Sequence, residues 1–139
     1  SDPTLYGIYS TPERVEVVDE FLSQIRVYAD PGDEVLMVNS MSSFYYLTET
    51  KPAMGDPWPF IGSFDSVQLK QQNMEVNSDL PKVFVYSKVN TRNRSWPATS
   101  EVAVDRDLEK LAYLKNRYIY ELDYKLVWEN RAFCIYVDD

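Results

Sequence analysis

Trp58 is held between Pro57 and Pro59, and a second tryptophan, Trp96, stands before Pro97. Proline fixes its own φ and pushes the preceding residue into extended backbone, so each indole is set at a defined spot. A flat indole face can stack on a sugar ring or plug a loop onto the core, and the sequence leaves both open. Thr48, Glu49 and Lys51 lead into Trp58 along a run that starts aromatic at Tyr45 and is broken by three prolines and a glycine before Phe60. Asn39 and Ser40 stand at the exit of an apolar run, where open α/β sheets keep their working residues. Asn39, Ser40, Thr48, Glu49, Lys51, Trp58 and Trp96 are therefore the candidate binding residues. Glu49, Asp56 and Asp65 are the nearby carboxylates, and a pair of acids can run glycoside hydrolysis at the right separation. Sequence spacing does not set that separation, and among 22 acidic residues chance clusters are common, so solvated or capping roles are the simpler reading.

The other familiar chemistries lack their parts. The chain has no histidine, which removes Ser-His-Asp and Cys-His pairings and the usual zinc and non-haem iron sets. Its one cysteine, Cys134, lies in an apolar run and reads as a buried, inert thiol. A response-regulator site needs a phosphorylatable Asp at a strand end, whereas the two clear strands end in Asn39-Ser40 and Ser87-Lys88. Four scattered glycines form no phosphate-cradling turn. No catalytic residue, metal or cofactor is expected. A net charge of −8 argues against nucleic acid and against adhesion to anionic lipid. Asn93-Arg94-Ser95 matches the N-glycosylation pattern, a triplet that arises often by chance. No apolar run approaches the roughly 18 residues that span a membrane. The opening Ser1-Asp2-Pro3 has no initiator Met, so the chain reads as a piece of something longer.

The elements that must position these residues follow from periodicity. Ser10-Thr11-Pro12-Glu13 is a helix start, and Val15, Val18, Phe21, Leu22, Ile25 and Tyr28 continue it with one apolar face. Asp30-Pro31-Gly32-Asp33 stops it. Glu34 to Val38 predicts a buried strand, Ser43 to Leu47 a short helix, and Ser63 to Glu75 a weakly amphipathic helix with Phe64, Val67 and Met74 inward. Lys82 to Ser87 predicts a second strand, and Asn90 to Ser100 a polar loop. A long helix opens at Asp105 or Arg106 with Leu108, Leu111, Ala112, Lys115, Tyr118, Ile119 and Leu122 along one stripe. Tyr124 to Glu129 and Phe133 to Val137 alternate as a β-hairpin. This order predicts a single α/β domain over 1–139: a layered fold with a mixed, mainly parallel sheet flanked by helices and closed by a C-terminal β-hairpin.

Several segments together resemble the soluble C-terminal region of bacterial integral-membrane glycosyltransferase-like proteins. These belong to the class that uses polyprenyl-phosphate sugars, related to the protein mannosyltransferases and aminoarabinose transferases. The residues that carry it are Gly7 to Arg14, Pro31-Gly32-Asp33, Tyr46 to Pro52, Pro57-Trp58-Pro59, Leu80-Pro81 with the strand after it, and Tyr124 to Asn130. The resemblance covers nearly the whole chain through short motifs. It implies a periplasmic domain on the outer face of the inner membrane, attached through transmembrane helices outside this sequence. In such enzymes the catalytic acids lie in loops on the membrane helices, so none is carried over. The implied role is an accessory one, with the membrane portion of the parent and a glycan or lipid-linked sugar as partners, and with the Thr48 to Phe60 segment as contact surface. Two rival readings stand beside it. One is a self-contained ligand-binding protein or small enzyme with a site near Asn39, Ser40 and Trp58. The other is a protein-interaction module.

Overall fold

A computed structural model of the chain describes residues 12–39, 41, 43–55, 63–88 and 108–138. Helix α1 (Pro12–Tyr28) opens on a proline, whose missing N–H costs nothing in a first turn. It buries Val17, Val18, Phe21, Leu22 and Ile25, with Val15 and Tyr28 at the margin of that face. The Asp30–Asp33 turn ends it. Gly32 there holds φ +88° with open space around it, so backbone conformation rather than room calls for glycine. Its N–H donates to the Glu49 carbonyl at 2.8 Å.

Strand β1 (Glu34–Val38) is buried from Val35 onward. Helix α2 (Phe44–Thr48) then leads back to strand β2 (Lys51–Pro52). The proline-rich sequence reads as loop, yet these two residues pair with Glu34 and Val35. Proline is tolerated because β2 is an edge strand whose outer side needs no N–H. Helix α3 (Phe64–Val76) starts at Ser63, whose hydroxyl accepts from the Ser66 N–H at 3.2 Å. Strand β3 (Val83–Ser87), helix α4 (Leu108–Lys115), a π-helical turn (Asn116–Glu121), and the hairpin of β4 (Lys125–Glu129) and β5 (Phe133–Val137) complete the described chain.

The sheet has five strands in the order β2-β1-β3-β5-β4. β1 is parallel to β2 and β3, and the C-terminal hairpin joins antiparallel through β5. The fold is thus α/β, with a mixed sheet, a parallel start and the expected terminal hairpin. Strand alternation divides the core into two layers. Val35, Met37, Val83, Val85, Phe133 and Ile135 face α1 and α2, where Phe21, Phe44 and Phe133 meet at ring-centroid separations of 5.0 to 5.7 Å. Leu36, Val38 and Phe84 face α3 and α4, where Phe84 stacks on Tyr118 at 4.6 Å.

The last helix departs from its sequence pattern. Leu108 and Ala112 are exposed, whereas Leu111, Leu114 and Tyr118 carry the buried face. The Leu122 N–H reaches the Arg117 carbonyl five residues back, widening the turn that keeps Tyr118 over Phe84. Lys115 lies as its long stem allows, with its ammonium 4.4 Å from the Tyr86 ring centroid. β4 also breaks its alternation: a register shift between Leu126 and Trp128 inserts Val127 as an extra residue. A bulge of this kind twists an open edge and discourages pairing with another chain.

Candidate functional site

The connections leaving β1 and β3 part company. From β1 the chain passes to α2 and then β2 on one flank, whereas from β3 it passes to α4 on the opposite face and on to the hairpin flank. The carboxyl ends of these adjacent parallel strands form a topological switch point, the place where open α/β sheets leave a crevice for ligands. Asn39 and Ser87 occupy the two strand exits. Asn39 is buried in left-handed backbone, φ 73°, and its Nδ2 donates to the Ser87 carbonyl at 2.8 Å. Asparagine is one of the few side chains that enters this conformation readily, since its short amide can bond locally.

A polar network fixes this edge. Ser87 Oγ and the Lys88 N–H both approach the Ala132 carbonyl, at 3.4 and 2.7 Å. At the hairpin tip Asn130 Oδ1 accepts from the Ala132 and Phe133 N–H groups, each at 2.9 Å. Its Nδ2 donates to the Val17 carbonyl at 3.1 Å and to Glu20 at 3.0 Å, tying the tip to α1. Lys88 Nζ meets Glu129 Oε2 at 3.2 Å and holds that carboxyl below its usual range. Glu129 also accepts from the Cys134 thiol at 3.6 Å. Burial pushes the thiol up, so Cys134 stays protonated rather than nucleophilic. Tyr86 and Tyr136 stack beside it at 6.0 Å, and burial raises both phenols, leaving them as neutral hydrogen-bonding groups. The arrangement ties the two strand exits to the hairpin through hydrogen bonds and one ion pair, beside a stacked tyrosine pair.

The candidate residues do not gather in one place. Asn39 is at the switch point. Thr48, Glu49 and Lys51 lie at the opposite, amino end of the parallel strands, because α2 carries the chain back before β2 pairs with the start of β1. The length of β1, about 16 Å for five residues, separates the two groups. The expected contact surface beginning at Thr48 therefore starts at the wrong edge for a strand-exit site. Thr48 is buried, donating to the Phe44 carbonyl at 2.7 Å and sharing a 2.7 Å hydrogen bond with Thr50. Glu49 caps α2 in left-handed backbone and pairs with Arg26 at 3.5 Å. Lys51 is exposed opposite Glu34. Ser40, Asp56, Trp58, Trp96, the Asn93-Arg94-Ser95 triplet and the starts at Ser10-Thr11 and Asp105-Arg106 lie outside the described residues.

Sequence reasoning passed over Ser87, Lys88, Glu129 and Asn130 as site residues. Ser87 had a signal: it ends its strand as Asn39 ends β1, and two parallel neighbours bring their ends together. Asn130 had none, because its partner is 113 positions away along the chain. Among the described residues no group of three or more acids and cysteines is placed to hold a metal ion. None of their helices is long and apolar enough to cross a membrane. Compared with models of protein families, with curated proteins and with solved structures, the chain matches none.

Proposed function

We propose that this chain is an accessory domain of a membrane glycosyltransferase-like protein, held at the outer face of a bacterial inner membrane. Its task there is to position a polyprenyl-linked sugar, a glycan or a partner. The observation that supports this reading is the switch point, where Asn39 donates to the Ser87 carbonyl and Lys88 pairs with Glu129 beside the protonated thiol of Cys134. The sequence resemblance supplies the membrane context.

Membrane fractionation, with protease treatment of intact spheroplasts carrying a C-terminally tagged parent protein, tests it. A membrane-bound tag removed from outside is the expected result, and a soluble or protected tag refutes the reading. The position of Asn39 at a strand exit also favours a second reading, a self-contained binding protein. That reading expects a saturable response of Asn39 and Ser87 amide resonances when the chain is titrated with oligosaccharides.

A further inference from the structure

We propose that the face of the C-terminal hairpin beside α4 binds an acidic sugar, with the sugar ring on Tyr136 and Leu126 and its carboxylate on Lys115. The inference does not rest on membrane attachment, so a parent protein found in the soluble fraction leaves it standing. Residues opposite one another in antiparallel strands point to the same face. Phe84 opposes Tyr136, Tyr136 opposes Leu126, and Tyr86 opposes Cys134. These residues therefore share the face on which Tyr118 and Leu114 pack. The helical cover thins toward the hairpin edge: Phe84 is fully buried, Tyr86 and Tyr136 are half-buried, and Leu126 is 47% exposed. The row ends in a partly open aromatic and apolar surface. Tyr120 of the π-helical turn, 78% exposed, stands close enough to act on the Tyr136 phenol.

Tyr86 and Tyr136 stack with their planes 20° apart, and burial above all keeps both phenols protonated. A tyrosine offers an apolar ring to the C–H face of a sugar and a hydroxyl that both donates and accepts. Charge then selects among sugars. Lys88 is matched by Glu129, Arg117 by Glu75 and Glu121, and Lys125 by Asp123. Asp138 lies by Tyr124 at the other end of the hairpin. Lys115 sits 4.4 Å from the Tyr86 ring centroid and meets no carboxylate among the described residues, although the chain holds 22 acids against 14 bases. A lysine ammonium is a compact point charge, which one carboxylate balances. Phosphate calls for clustered basic groups or a helix N-terminus. Glu129, which also acts on Tyr136, opposes a second negative charge here.

Titration of the chain with sodium glucuronate, glucose and sodium acetate tests this, followed through the amide resonances of Leu126, Cys134 and Tyr136. Glucuronate is expected to give saturable shifts with a Kd of order 1 mM. Glucose and acetate, each supplying one half of the contact, are expected to bind about five-fold more weakly. Lys115→Gln, at a part-exposed position, brings glucuronate down to the level of glucose. Tyr136→Leu weakens both sugars and leaves acetate unchanged. Glucose or acetate binding as tightly as glucuronate, no saturable shift up to about 10 mM, or a Lys115→Gln titration identical to the parent's overturns the proposal.

Discussion

Asn39 is the residue on which the join between the two strand exits depends most directly, and two substitutions separate its two contributions. Its side chain donates to the Ser87 carbonyl at 2.8 Å, and its backbone sits at φ 73°. Asn39→Gly removes the amide but keeps a residue at ease in left-handed backbone. Asn39→Ala removes the same amide and places a Cβ in that conformation. Loss of the buried hydrogen bond costs about 1 kcal/mol, and the left-handed alanine adds roughly 1 kcal/mol more. The expected losses are therefore about 1 kcal/mol for glycine and about 2 kcal/mol for alanine. In urea, with a slope of about 2 kcal/mol/M, the alanine midpoint falls roughly 0.5 M below the glycine midpoint at unchanged slope. Glycine as damaging as alanine would show that backbone strain plays no part. Two losses both under about 0.5 kcal/mol would show that the hydrogen bond does not hold the strand exits together.

Two further predictions concern the brace between α3 and the π-helical turn. Tyr118→Phe strips the hydroxyl that donates to Gln71 Oε1 at 2.7 Å; because Gln71 is fully buried, stability falls by roughly 1–3 kcal/mol, read from urea unfolding, and a loss under about 0.5 kcal/mol would show that Gln71 finds another partner. Arg117 binds both oxygens of Glu75 and holds that carboxyl below its ordinary value of 4.5, so the folded state is favoured above that value and loses the contribution as pH falls through the lower folded pKa. Glu75→Gln should therefore flatten the stability profile of the protein below pH 4.5, by about 1 kcal/mol after solvent screening, and a profile parallel to the parent's would remove Glu75 from acid sensitivity.

The fold was legible where one physical signal governed each segment. Apolar runs bounded by turn residues located β1 and β3, and alternation located the hairpin. β2 was not legible, because Lys51-Pro52 acquires strand geometry only from the neighbouring β1 and has no pattern of its own. The sequence stripe on α4 runs through Leu108 and Ala112, whereas the regular helix before the wide turn already buries Leu111 and Leu114 instead. Gln71 was missed as core because a polar side chain between Val67 and Met74 looks like a surface position until Tyr118 supplies its partner. Of the described candidate residues, only Asn39 stands at the strand exits. Thr48, Glu49 and Lys51 were grouped with it by closeness in sequence, and a five-residue helix is enough to send them to the other end of the sheet.

That separation bears on what the carboxyl edge can do. Asn130 draws α1 to the hairpin tip, Ala132 draws the tip to β3, and Asn39 draws β1 to β3, so four elements distant in sequence share one network. A ligand met by backbone already fixed in this way requires little ordering of the edge itself, and the binding energy is not spent on assembling it. The network thus gives the edge a mechanical role apart from chemistry: it fixes β1, β3, α1 and the hairpin tip against one another.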